Sequence, residues 1–191
     1  MFAVYLGSFL FVVPHLLASL FPAVRDRVQA RVGEQRFKSG FAATVGLGFI
    51  LMAIGYFLTR GSGEMLYAPS GAARHAILGM ATLGMILLAA GQGKSHIRLW
   101  LQNPFSIGVV LWSVGHLLIV GKTAVVWFYG SLLIIAIVDI VSCMARGKRP
   151  EFQPVWRSDI IAVAAGLVLT VVLVVLFHPY VLGVYPLQSM Q

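Results

Sequence analysis

IIAVAAGLVLTVVLVVLFHP, residues 160–179, is a run of twenty residues without an Asp, Glu, Lys or Arg. At 1.5 Å per residue such a run makes a helix ~30 Å long, the thickness of the hydrocarbon core of a bilayer. In water it would be an apolar cylinder on every side, whereas in lipid it satisfies its own backbone. The stretch therefore names lipid as the solvent. Five more runs of similar length and character precede Ile160–Pro179: Phe2–Pro22, Gly40–Leu58, Ala73–Ala90, Pro104–Gly121 and Ala124–Met144. Over the 191 residues, 59% are hydrophobic and 10% are charged. A soluble domain needs roughly 25% charged residues to clothe its surface. The expectation is an all-α polytopic membrane protein, a bundle of about six transmembrane helices forming one domain over residues 1–191. No length remains for a separate soluble domain.

The formal charge of +8 has a topological explanation rather than a nucleic-acid one. The connectors 25–38, 94–98 and 146–157 hold eleven of the fourteen Lys and Arg residues, and Arg60, Arg74 and Lys122 are the other three. Basic residues gather on the cytoplasmic side. The first, third and fifth connectors are thus expected inside, with both termini on the non-cytoplasmic side. Trp100 and Trp156 then fall near the inner interface, and Trp127 and Tyr129 near the outer one. In the first connector Val24, Val28 and Val32 recur every four residues among Arg25, Arg27, Arg31 and Arg36. That pattern suits either a short interfacial helix, arginines toward anionic headgroups, or a plain basic loop. The N-terminal run has no basic leader and no evident cleavage site, so it reads as a retained first span. The lone cysteine, Cys143, excludes an intrachain disulfide and any multi-cysteine metal site.

An ionisable side chain is costly in lipid and is a functional candidate wherever it lies deep in a span. His96 sits in a basic connector and reads as a solvated loop residue; His75 and His178 lie near the outer ends of the third and sixth runs. His15 and His116 lie deeper, roughly 10 Å and 18 Å from the inner ends of their helices. On the fourth span Gly108, Trp112, Gly115 and His116 share a stripe, and on the first Ser8, Phe11, His15 and Ser19 do. Small residues beside an imidazole admit either a flat macrocycle or a neighbouring helix. Two neutral imidazoles commonly hold haem iron, and each can equally hydrogen-bond across a helix interface. Val13-Pro14-His15-Leu16-Leu17 is echoed by Val114-Gly115-His116-Leu117-Leu118, as a weak inverted repeat would require. Asp139, near the inner end of the fifth span, reads as a structural anchor or a proton relay. No Ser-His-Asp arrangement, phosphate loop or paired-metal carboxylate cluster is visible, which leaves hydrolase and nucleotide chemistry without support.

NPFSIGVVLWSVGHLLIVG, residues 103–121, resembles the signature of the NnrU family of membrane proteins, which reads R-H-P, a short spacer with Gly, then L-W-x-x-x-H-L-L. The resemblance extends over nearly the whole chain. It takes in His15, the basic connector after it, Asp139 before a basic cluster, and the closing H-P-x-x-x-G-V run at His178–Val184. It implies a protein of the bacterial cytoplasmic (inner) membrane associated with nitrite and nitric oxide respiration. Relatives in plants and cyanobacteria include the haem-b-dependent cis-zeta-carotene isomerase. By this resemblance His15 and His116 are the axial ligands of a haem b between the first and fourth spans, with Trp112, Gly108 and Gly115 shaping its pocket. Its role would be redox-linked, in denitrification or in polyene isomerisation. Two positions depart from the pattern: Gln102-Asn103-Pro104 stands where R-H-P is expected, and Ser113 where the isomerase has a cysteine. A serine hydroxyl is a poor soft ligand, so a thiolate switch is not open to this chain. The alternatives are a non-enzymatic accessory or assembly subunit of a larger respiratory or photosynthetic membrane complex and, ranked last, a transporter.

Overall fold

Backbone N–H and C=O groups placed in lipid must be satisfied within their own segment, and helices do this. In the computed structural model the described residues are 1–59, 63–68, 73–147 and 149–186, apart from the side chains of 73–75. Arg60 and Lys148, and the side chains of Arg74 and His75, which entered the charge and histidine readings, lie outside the described residues. The described chain is helical between short connectors, with one isolated antiparallel bridge from Met65 to Lys122.

The helices in order are α1 Phe2–Leu20, α2 Pro22–Val32, α3 Glu34–Thr59, α4 Ala73–Ala90, α5 His96–Leu101, α6 Pro104–Ile119, α7 Thr123–Ala145 and α8 Trp156–Val171. The last continues from Val172 to Leu182 in the wider π register. Among the described residues four stretches are long and apolar enough to cross a membrane: α1, α3, α7 and Trp156–Leu182. α6, and α4 from Ala76 onward, are shorter apolar helices. The fold is all-α and the chain is a multi-pass membrane protein.

Two boundaries differ from the sequence expectation for physical reasons. α3 starts at Glu34 rather than Gly40, because a helix need not begin where the lipid does; Lys38 Nζ meets Glu34 Oε1 at 2.6 Å across one turn. α8 starts at Trp156 rather than Ile160, which brings Asp159 into its first turn. The basic connector takes the helical alternative. Pro22 opens α2 at a position that needs no N–H, and Gly33 at φ +88° separates it from α3. Val24, Val28 and Val32 on α2 are all exposed.

The chain divides into two compact units, Met1–Ala68 with Val120–Ser142, and Pro69–Ile119 with Cys143–Gln191. In the first, α1 and α3 run antiparallel and touch through glycine. A methyl at Gly48 would lie 2.7 Å from the Phe11 nitrogen and 2.9 Å from the Gly7 carbonyl. Gly55 meets Val4 in the same way. Small residues permit such backbone approach, which drives helix association in lipid, where no hydrophobic effect acts between helices. Tyr5 packs edge-on against Trp127 at 4.9 Å, so the starts of α1 and α7 lie together. At that end the 64–67 strip is tied to 120–123 by Leu66 N–H to Gly121 O and by Thr123 N–H and Oγ1 to Glu64 O.

In the second unit α4 pairs antiparallel with α6 by the same device. A methyl on Gly108 would reach the Gly84 carbonyl at 2.6 Å and the Leu88 nitrogen at 3.0 Å. On α8, Gly166 admits the Ile86 backbone just as closely.

Candidate functional site

The first unit places His15 on α1, where its Nδ1 donates to the Phe11 carbonyl at 2.7 Å. A carbonyl can only accept, so Nδ1 carries the proton and Nε2 holds the lone pair. The ring lies among aromatics: Phe11 at 5.0 Å between centroids, and Phe41 of α3 edge-on at 5.2 Å.

The second unit places His116 on α6, its Nδ1 donating to the Trp112 carbonyl at 2.8 Å. The Trp112 ring stands edge-on to the imidazole at 5.5 Å. Trp112 thus acts on His116 through its carbonyl and its ring edge. Gly108 and Gly115 face α4: Gly108 meets Gly84, and a methyl on Gly115 would meet Ile77 Cδ1 at 3.1 Å. Both glycines set the distance between α6 and α4, and so the placement of the turn that carries His116.

Two serines share the helix faces of these histidines. Ser8, two turns before His15, is 3% exposed, and Ser113, one turn before His116, is 0% exposed. Among the described residues these are the two buried side-chain oxygens without a hydrogen-bond partner. Ser131, Ser142 and Thr170, by contrast, each bond the carbonyl four residues back.

Sequence reasoning gave little weight to His178. It lies in the π stretch, and its Nδ1 donates to the Leu173 carbonyl, five residues back, at 2.7 Å. That partner is the one the π register offers. Its ring centroid is 6.3 Å from that of His116, with the two planes 25° apart. The stretch ends at Gly183, φ +66°, where the Gly183 and Val184 N–H groups close back on Pro179 and His178. One sequence signal was present: a histidine followed by a proline at the end of an apolar run, where Pro179 has no N–H to give.

The reading of His96 as a solvated loop residue is corrected. Its Nδ1 donates to Asp159 Oδ2 at 2.7 Å, and its ring stacks on Trp156 at 4.1 Å. Asp159 also accepts from the N–H groups of His96 and Ile97, both at 3.1 Å, while Ser95 Oγ accepts from Arg98 N–H. The first turn of α5 leaves N–H groups that need acceptors, and a buried carboxylate from α8 supplies them. Asp159 lies 63 residues from His96, so no local pattern announces the pair. Asp139 is half-buried on α7. Among the described residues no three His, Cys, Asp or Glu side chains gather as a metal site.

The helices and their apolar lengths define the class, a multi-pass helical membrane protein whose half-buried imidazoles at His15, His116 and His178 each give Nδ1–H to a main-chain carbonyl. The chain belongs to the NnrU family: the family model, described as NnrU protein, matches residues 3–186, nearly the whole length. No curated protein and no solved structure matches it.

Proposed function

We propose that the chain is a haem-b-binding protein of the bacterial cytoplasmic membrane, with iron held by imidazole. His116 and His15 are the ligands the sequence nominates. α4 and α6 complete six crossings, with both termini outside the cytoplasm. α6 at 16 residues rises ~24 Å, which suits a locally thinned bilayer. The eleven-to-three division of basic residues sets the direction.

The observation that carries the haem reading is the tautomer. His15 and His116 each give Nδ1–H to a main-chain carbonyl one turn back. Metal-bound histidines are usually held in this way, the bonded N–H fixing the ring and raising the basicity of the other nitrogen. The donor set fits iron, since imidazole is among the ligands that suit it. In this reading Trp112 orients His116 through its carbonyl, and Gly108 and Gly115 fix α6 against α4. Haem supplies one-electron chemistry when bound, which suits a redox-linked role in nitric oxide metabolism or polyene isomerisation.

The test is a pyridine haemochrome assay and a visible spectrum of the purified protein. About one haem per chain is expected, falling to background in the His15→Ala/His116→Ala double variant. A haem-free wild type, or a double variant that keeps its haem, overturns the reading.

A further inference from the structure

α2 is the helix that the haem site leaves without a role. None of its eleven residues is buried. It joins α1 to α3 through single residues, Phe21 and Gly33, so it cannot travel far from the bilayer that those two helices cross. Pro22 follows the apolar run of α1 directly, with Leu20 and Phe21 exposed at the junction. From Glu34, α3 rises only ~9 Å before its own apolar run begins at Gly40.

The two sides of α2 differ. At the helical period Val24, Val28 and Val32 share an arc of about 80°, with Arg27 and Arg31 along one edge and Arg25 along the other. The three valines are exposed, and so are Arg27 and Arg31. Asp26 and Ala30 stand on the opposite side, about 160° from the centre of that arc. There Asp26, Gln29, Ala30 and Glu34 line an open cleft, which gathers both carboxylates of the 22–38 segment beside the face away from the valines. Each carboxylate already has a partner: Asp26 pairs with Arg25 at 2.8 Å and Glu34 with Lys38 at 2.6 Å. Among the described residues Arg27, Arg31 and Arg36 pair with no carboxylate.

An apolar stripe edged by arginines and backed by acids suits a helix lying in a lipid–water boundary. The valines meet acyl chains, and the arginine stems lie along the apolar face while the guanidiniums reach lipid phosphates. Anionic headgroups supply the counter-charge that the segment lacks. We infer that α2 is a membrane-surface anchor, its valine face set among acyl chains and Arg27 and Arg31 on the phosphates of anionic phospholipids. Arg36, at the start of α3, adds to the same field. The anchor braces the joint between α1 and α3, next to the helix ends that carry His15 and Phe41.

The test uses the full chain with Cys143→Ser, reconstituted in vesicles of phosphatidylcholine alone or of phosphatidylcholine mixed with phosphatidylglycerol. A nitroxide is placed on Val28→Cys or on Ala30→Cys. Its depth is read by electron paramagnetic resonance, from the ratio of collisions with oxygen and with a water-soluble nickel complex. In the anionic vesicles the label at 28 should lie ~5–10 Å into the headgroup–acyl boundary and the label at 30 in water. Arg27→Gln/Arg31→Gln should shift the docked-to-free ratio of α2 about twenty-five-fold toward free, at roughly fivefold per charge. Phosphatidylcholine alone and molar salt should shift it the same way, and neither relies on a variant that folds. A label at 28 as open to water as the one at 30, in both kinds of vesicle, overturns the inference and leaves the valine face to a protein partner. A label at 28 that stays equally deep through the substitutions, neutral lipid and salt overturns the part given to the arginines.

Discussion

His15 in the first unit and His116 in the second each donate Nδ1–H to the carbonyl of an aromatic residue one turn back, Phe11 and Trp112. Each shares its helix face with a buried serine hydroxyl that lacks a partner, Ser8 and Ser113. Beyond that turn the surroundings part. His15 meets a second aromatic ring, Phe41, while His116 meets a second imidazole, His178. An aromatic residue one turn before the histidine, just ahead of the repeated pentapeptide, thus holds the imidazole in both units. What the imidazole faces is decided by a distant helix: α3 in one unit, the π stretch in the other. The helix pairing beneath is alike too, since glycine contacts join α1 to α3 and α4 to α6. A feature of the second unit without a described counterpart in the first is the bond of Asp159 to the start of α5.

The likeness breaks most forcefully at the glycines. Gly48→Leu in the first unit and Gly108→Leu in the second both push a side chain into backbone that cannot retreat. Each should cost about 3 kcal/mol or more, measured by unfolding in detergent. If one variant unfolds and the other does not, the shared mode of helix pairing fails for the resistant unit. Asp159→Ala acts on the second unit alone, stripping the acceptor from two N–H groups and from the His96 ring. A loss of about 2 kcal/mol is expected, with hydrogen-exchange protection falling at His96 and Ile97 and unchanged in α1 and α3. Unchanged protection at those amides would show that Ser95 alone holds the turn. The smallest effect belongs to Ser8→Ala and Ser113→Ala. Removing an unpaired buried hydroxyl should be neutral or stabilise by about 1 kcal/mol. A loss of stability at Ser113 without one at Ser8 would mean that the Ser113 hydroxyl bonds something held in the second unit.

The fold was mostly legible because length and apolarity leave lipid as the one consistent solvent. The run at Ala73–Ala90 coincides with α4, and the fourth run overshoots α6 by two residues. The errors fall where helices extend past lipid on charged turns, at Glu34 and at Trp156, since apolarity marks the membrane rather than the helix. At the site, the local half was readable: a histidine with an aromatic residue one turn before it is a sequence pattern. His178 was harder, because a π register leaves no periodicity in a run that is apolar throughout. The Asp159–His96 pair was out of reach, since it depends on α8 beginning four residues before its apolar run.

The order in which the two units take up the chain has a consequence for how the protein is made. Residues 1–68 belong to the first unit, 69–119 to the second, 120–142 to the first again, and 143 onward to the second. A ribosome delivering the chain from its N-terminus therefore completes neither unit in one pass. α1 and α3 must wait, already inserted, while α4, α5 and α6 are synthesised, before α7 arrives to join them. The second unit waits in turn for α8. Domains that are continuous in sequence can fold as they emerge, whereas here a chain arrested after Ile119 would leave two unfinished halves in the membrane at once.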